Sequence, residues 1–211
     1  ENMAYINRIW AGRGIELIGS FTYYLHDNEK ADDVMTILTK EVPELTVHVS
    51  LVNSNTFSRS GGLHLAAQAA FIQPDDIILF GDLHLDMPEV FFENLIKSLV
   101  SSKTIYYPVV SRLKKGETPY DWRKQSSYNE EIGFGIFGMI AKDYWQTEGF
   151  AMASRSLLQK TTWGEEDWLL FDAMVHENGF YPIRDKPPAY VHYYHTRKKS
   201  SSPDGWYQWD E

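Results

Sequence analysis

Apolar and polar positions alternate along this chain in two periods, and the switches between them outline the fold. Residues 15–25 form an apolar, aromatic-rich stretch that predicts a strand, weakened only by Gly19 and Ser20. Asp27 or Asn28 then offers a cap for a helix whose apolar positions Val34, Ile37, Leu38 and Val42 recur at helical spacing, with Pro43 as its stop. Val47, Val49 and Leu51 alternate with His48 and Ser50, which predicts a strand with one buried face. Gly61 and Gly62 are expected to precede a second helix that turns Leu63, Ala66, Ala67, Ala70 and Phe71 inward. Residues 77–80 read as a short buried strand that stops at Gly81-Asp82. Further on, strands are expected over 104–110, 134–140 and 189–194, and a helix over 165–178.

Strand, helix, strand, helix, strand is the order of an α/β sheet with helices on its faces. Ligands of such sheets bind beyond the carboxyl ends of the strands, which is where Asp82 stands in sequence. The 211 residues fit one domain rather than two independent ones, with 43% hydrophobic and 15% aromatic residues to build its core. A formal charge of −9 argues against general nucleic-acid binding. The local run Arg197-Lys198-Lys199 is the exception to that acidity. No apolar run reaches the 18–20 residues a membrane helix needs, and the opening residues lack the layout of a signal peptide. With no cysteine, disulfides and thiolate metal sites are excluded. Together with the lack of an Asn-x-Ser/Thr site, this leans towards a cytoplasmic setting.

Three groups of residues carry candidate chemistry. In Gly81-Asp82-Leu83-His84, a carboxylate and an imidazole two residues apart in extended chain point the same way and can share a divalent cation. Oxygen and nitrogen ligands together suit Mn²⁺ better than Ca²⁺. The plainer alternative is a capping Asp and an exposed His. Asp82-Leu83-His84-Leu85-Asp86 also looks like the opening motif of metallophosphoesterases, but the downstream Gly-Asn-His and Gly-His-x-His blocks of that family are absent. In Trp163-Gly164-Glu165-Glu166-Asp167, consecutive acids favour a helix start. The preceding Trp-Gly suits a sugar-sized pocket, where a carboxylate serves as general base. In His192-x-x-His195, residues three apart in a strand face opposite ways unless the strand bends, so one or the other is the candidate third ligand.

Assembled in order, these residues resemble the chondroitin synthase and chondroitin N-acetylgalactosaminyltransferase family, and more distantly the β-1,4-galactosyltransferases. Phe57-Ser58-Arg59-Ser60-Gly61-Gly62-Leu63 looks like the family's Phe-Ser-Arg segment, and Asp82-Leu83-His84 falls where the family has Asp-x-Asp. Tyr106-Tyr107-Pro108, Gly133-Phe134-Gly135, Gly149-Phe150, Trp163–Asp167 and the closing His-x-x-His follow in the family's order. The departures are His84 in place of the second Asp (a form the polypeptide N-acetylgalactosaminyltransferases use) and Glu165 where Gly or Leu is usual. The family's first strand also has no counterpart. Residues 2–14 look like the helix that follows it, so a fragment of a longer protein is expected.

The resemblance implies a GT-A fold, a mixed and mostly parallel sheet flanked by helices. Its nucleotide-binding half would span residues 1–86 and its acceptor half residues 87–211. It implies an inverting, metal-dependent transfer of a hexose-type sugar, N-acetylgalactosamine first, from a UDP-sugar to a carbohydrate hydroxyl. Asp82, His84 and His195 or His192 would hold Mn²⁺. Ser58, Arg59, Gly133, Phe134 and Gly135 would meet the donor, and Trp163 and Gly164 the acceptor. Glu166 would bind a sugar hydroxyl and Asp167 would act as base. Residues 196–202 would form a closing basic loop. The setting implied is the Golgi lumen for a eukaryotic source and the cytoplasm for a bacterial or viral one. The rival reading is an inactive member of a glycosyltransferase pair that serves assembly, with a partner glycosyltransferase subunit.

Overall fold

The computed structural model describes residues 2–25, 30–41, 45–53, 58–81, 85–87, 89–112, 116, 136–147, 166–185, 191–192, 197–199 and 207–209. The chain divides into two compact units, Glu1–Pro74 with Glu148–Glu166 and Asp75–Thr147 with Asp167–Glu211. The division after Pro74 groups the strand before Asp82 with the later residues.

In the first unit, helix α1 (Asn2–Ala11) leads into strand β1 (Ile18–Tyr24), followed by α2 (Ala31–Glu41), β2 (Thr46–Val52) and α3 (Arg59–Ala69). The chain leaves α1 through Gly14, whose φ of +75° is open to glycine at little cost. The Gly14 and Ile15 amides cover the last carbonyls of the helix, on Ala11 and Trp10. β1 and β2 pair in parallel, Ile18 opposite Thr46 through Tyr24 opposite Val52. That is the expected crossover arrangement, with α2 as the connecting helix.

Two expectations in this unit are corrected. Gly61 and Gly62 lie inside α3, which starts two residues earlier behind the cap Ser58. A Cβ on Gly62 would stand 3.3 Å from the Tyr24 ring, so the glycines let the helix sit close on β1. Phe71 is 82% exposed instead of inward. The helix has ended, and a φ of 48° at Phe71 turns its ring outward against the edge of His48, 5.6 Å away. The alternation in β2 is also softer than expected. Residues 47–50 are all half-buried and Leu51 is exposed, because helices α2 and α3 both pack on this strand.

The second unit holds a four-stranded sheet in the order β3-β7-β5-β8, from β3 (Ile77–Gly81), β5 (Thr104–Tyr106), β7 (Ile136–Ile140) and β8 (Tyr181–Ile183). β7 runs antiparallel to both neighbours and β5 parallel to β8, so the sheet is mixed with three strands in one direction. A smaller sheet sets β9 (Val191–His192) between β4 (Leu85–Asp86) and β6 (Ser111–Arg112). The second sheet takes up the chain only at Ser111, and the strand expected over 104–110 is strand only over Thr104–Tyr106. Pro108 interrupts it, although the Tyr107 and Val109 amides still bond to the Ile183 and Asp185 carbonyls. β10 (Arg197–Lys199), within the stretch 196–202 expected to be a basic loop, pairs antiparallel with β11 (Tyr207–Trp209) beyond it.

Helices α4 (Glu89–Ser98), α5 (Ala141–Gln146) and α6 (Glu166–Asp172) accompany this sheet. Phe91, Phe92 and Leu95 form the buried face of α4. The helix expected over 165–178 changes pitch after Asp172. Residues Ala173–Glu177 form a π turn, closed by the Asn178 amide on the Ala173 carbonyl. Ring contacts join these parts into one core. Tyr144 of α5 meets Phe80, Phe80 meets Phe137, Phe137 meets Tyr107, and Tyr107 meets Phe171 of α6, with centroids 5.0–5.3 Å apart. Phe137, Tyr107 and Tyr144 have no exposed surface.

Candidate active site

The strand directions set one edge of the four-stranded sheet apart. β3, β5 and β8 all end there, at Gly81, Tyr106 and Ile183, and β7 begins there at Ile136. Gly81 pairs with Ile136, so the residue before Asp82 lies opposite the residue after Gly135. The acidic motif and Gly133-Phe134-Gly135 are thus each next in sequence to one of two paired strands at this edge. A Cβ on Gly81 would meet the Ile136 side chain at 3.1 Å, which explains a glycine immediately before the acidic motif.

The small sheet brings in the histidine motif. Leu85, the residue after His84, pairs with His192 in antiparallel register, and His192 also pairs with Arg112. In an antiparallel pair, the chain entering one member and the chain leaving the other run to the same end. Leu85, the first residue of β4, and His192, the last of β9, therefore lie at the same end of the pair. Glu166 and Asp167 open α6, and Phe171, one turn after Asp167, fixes that helix against Tyr107 just past the end of β5.

Asp82, His84, His195, Gly133, Phe134, Gly135, Trp163 and Gly164 lie outside the described residues. No group of three metal-binding side chains occurs among the described residues. Nor is any described helix long and apolar enough to cross a membrane. In the first unit, Ser58 caps α3 by accepting the Gly61 amide at 3.1 Å, and Arg59 is the first residue of that helix.

Two polar clusters escaped the sequence reading. At the end of β8, the Asn94 Nδ2 donates to the Asp185 carboxylate at 2.7 Å. The other carboxylate oxygen and the Tyr106 hydroxyl are buried without a hydrogen-bond partner among the described residues. Burial, and then the nearby Asp185 carboxylate, push the Tyr106 pKa well above the usual tyrosine range. A buried hydroxyl without a partner costs roughly 1–3 kcal/mol. Tyr106→Phe is therefore expected to leave stability unchanged or raise it by up to about 1 kcal/mol. Asn94→Ala, which strips the carboxylate of its donor, should cost about 1.5–3 kcal/mol. Urea midpoints of the two variants decide this, and a Tyr106→Phe variant clearly less stable than wild type would show that the hydroxyl is satisfied.

The second cluster joins β1 to α3. Ser20, Thr22 and Tyr24 donate their hydroxyl protons to the carbonyls of Ala66, Gly62 and Ser58. Hydroxyl residues at every second position of a strand were a visible signal, since side chains of that period share a face.

Comparison with known proteins gives the class and then the family. Similar proteins are glycosyltransferases. The chain is 31% identical over 179 residues to the mouse N-acetyl-beta-glucosaminyl-glycoprotein 4-beta-N-acetylgalactosaminyltransferase 1, which covers 84% of this chain. It is 25% identical over 149 residues to human chondroitin sulfate synthase 3, which covers 66% of it. The chain spans 16% of the length of each of these relatives. A solved structure, HddC from Yersinia pseudotuberculosis, matches with a TM-score of 0.44 and 15% identity over 87% of this chain and 76% of its own. The model of the chondroitin N-acetylgalactosaminyltransferase family matches residues 21–204, and the chain belongs to that family.

Proposed function

We propose that this domain transfers N-acetylgalactosamine from a UDP-sugar to a hydroxyl of a carbohydrate acceptor, with inversion and with a divalent metal. The reading rests on one arrangement within the second unit. The chain next to Asp82 pairs with the chain next to Gly135, and the chain next to His84 pairs with His192. α6, which begins with Glu166-Asp167, is fixed against the same strand end.

In this reading the Asp167 carboxylate takes the proton of the acceptor hydroxyl. The freed oxygen attacks the anomeric carbon from the face opposite the nucleotide, and the bond to UDP breaks with its electron pair going to the leaving phosphate. Glu166 holds a sugar hydroxyl, and Trp163 with Gly164 lines the acceptor side. Gly133, Phe134 and Gly135 lie along the donor sugar. Ser58 and Arg59 meet the nucleotide, where a guanidinium suits phosphate oxygens. One carboxylate and two imidazoles, from Asp82, His84 and His192 or His195, are a donor set that fits Mn²⁺. When bound, such an ion offsets the charge that grows on the diphosphate. For a eukaryotic source the reaction belongs in the Golgi lumen.

The name of the mouse relative favours a terminal β-linked N-acetylglucosamine as acceptor, and the family model and the human relative favour a chondroitin-type chain. The higher identity and longer match of the mouse protein support the first. Incubation with UDP-N-acetylgalactosamine, Mn²⁺ and each acceptor tests this. Product on the N-acetylglucosaminyl acceptor, at least tenfold above that on a chondroitin oligosaccharide, is the expected result. Product only on chondroitin reverses the choice. No transfer and no UDP release with any donor or divalent metal would favour the inactive partner, a reading that His84 in place of the family's second Asp keeps in play.

A further inference from the structure

The three hydroxyl contacts between β1 and α3 form a ladder with a regular pitch. Ser20 Oγ reaches the Ala66 carbonyl at 2.5 Å, Thr22 Oγ1 the Gly62 carbonyl at 2.6 Å, and Tyr24 Oη the Ser58 carbonyl at 2.8 Å. Two strand residues advance about 6.7 Å and four helix residues about 6.0 Å. Alternate strand positions therefore meet every fourth carbonyl of a helix running the opposite way. The strand is held to the helix rung by rung, so α3 cannot slide along β1 without breaking all three contacts.

The last rung differs from the other two. Thr22 and Ser20 bond to the body of the helix, but Tyr24 bonds to its cap residue. The Ser58 carbonyl accepts both the Tyr24 hydroxyl and the Gly62 amide, at 2.8 and 2.9 Å, while the Ser58 hydroxyl accepts the Gly61 amide at 3.1 Å. The backbone of Ser58 is thereby fixed from two elements, and Arg59 follows directly as the first helical residue. Gly61 and Gly62 make the approach possible. A Cβ on Gly62 would stand 3.3 Å from Tyr24 Cε2 and 3.6 Å from Thr22 Cβ. Tyr24 is half-buried, and burial outweighs the Ser58 contact in raising its pKa, so the phenol stays protonated as the donor throughout the neutral range.

From this geometry we propose that Tyr24 is a positioning residue for donor binding. Its hydroxyl sets the height and orientation of the first turn of α3, and through it the place of Ser58 and Arg59. The proposal rests on the reading that these two residues meet the UDP moiety. The lower rungs hold the same helix but lie one and two turns away from that end, so they share the structural load without the positioning role.

The test measures UDP affinity by calorimetry on the intact domain with Mn²⁺, for wild type, Tyr24→Phe and Thr22→Val, alongside hydrogen exchange of the Gly61 and Gly62 amides. Tyr24→Phe keeps the ring and removes the bond. It should weaken UDP binding by about 3–10-fold, raise KM for the donor similarly, leave kcat within twofold, and speed exchange at both amides. Thr22→Val should lower thermal stability with UDP affinity within twofold of wild type. Equal losses of affinity in both variants, or none in Tyr24→Phe, overturn the positioning role. If the wild-type domain itself binds no UDP, the donor reading on which the proposal rests has failed instead. If exchange at Gly61 and Gly62 is unchanged in Tyr24→Phe, the ladder itself has failed.

Discussion

Asp167→Asn is expected to lower kcat for sugar transfer by about 10²–10⁴-fold, the usual contribution of a positioned general base. The amide keeps the volume of the carboxylate and its ability to accept a hydrogen bond, but it cannot take the acceptor proton. UDP affinity and donor KM should stay within a few-fold of wild type. The fold should be undisturbed, since Asp167 stands in the first turn of α6, a helix anchored by Phe171 against Tyr107 and followed by a π turn that buries Met174 completely. The pH profile of kcat carries the sharper signal. Wild type should lose activity on the acid side as the carboxylate protonates, and the residual activity of the variant should lack that limb. Glu166→Gln, one residue away, should raise the acceptor or donor KM with a smaller loss in kcat and keep the acid limb. Full activity in Asp167→Asn would remove the base from this position and, with it, the proposed mechanism.

Much of the architecture follows from short-range pattern. The strands at 18–24, 46–52, 77–81 and 136–140 fall within three residues of the apolar runs that announce them, because each is a mostly buried or half-buried strand. Where expectation and structure part, a tertiary contact overrides the local signal. Gly61-Gly62 are expected just ahead of the helix, yet the pair lies within α3, whose first turn passes close to Tyr24. Phe71 continued the apolar stripe of α3 in sequence, but the helix ends at Ala69 and the reversed backbone faces the ring outward. The reversal of β7 was not legible either. Alternating strands and helices imply parallel pairing only where a helix makes the crossover, and between β5 and β7 the chain enters the sheet from its other end. At the candidate site, the sequence supplied the motifs in order and the strand register supplies their neighbours. The buried polar groups of Asn94, Asp185 and Tyr106 are 12 to 91 residues apart in sequence, so only the folded chain reveals the cluster.

Phe137→Ala should be the most damaging single truncation in the second unit. Phe137 has no exposed surface, and its ring lies 5.0 Å from Phe80 and 5.1 Å from Tyr107. Removing a buried phenylalanine costs about 3–5 kcal/mol through lost transfer energy and the cavity left behind. Set against a total stability of about 5–15 kcal/mol, that is a large share. For a chain of this size the melting temperature should fall by about 6–20 °C. The position in the ring ladder adds a functional consequence. Tyr107 is held between Phe137 and Phe171, so a cavity at Phe137 frees the ring against which α6 is seated. Phe137→Leu, which keeps most of the volume, should cost less stability and still reduce kcat more than it raises donor KM, because Asp167 stands in the first turn of α6. Trp145→Ala is the matched control. This residue sits at the outer end of the same ladder, 37% exposed and 4.8 Å from Tyr144, and its loss should cost no more than about 1.5 kcal/mol with kcat unchanged. Calorimetry and kinetics well below each melting temperature separate the two effects. Similar losses of stability in Phe137→Ala and Trp145→Ala would mean that the ladder is not the core on which α6 rests.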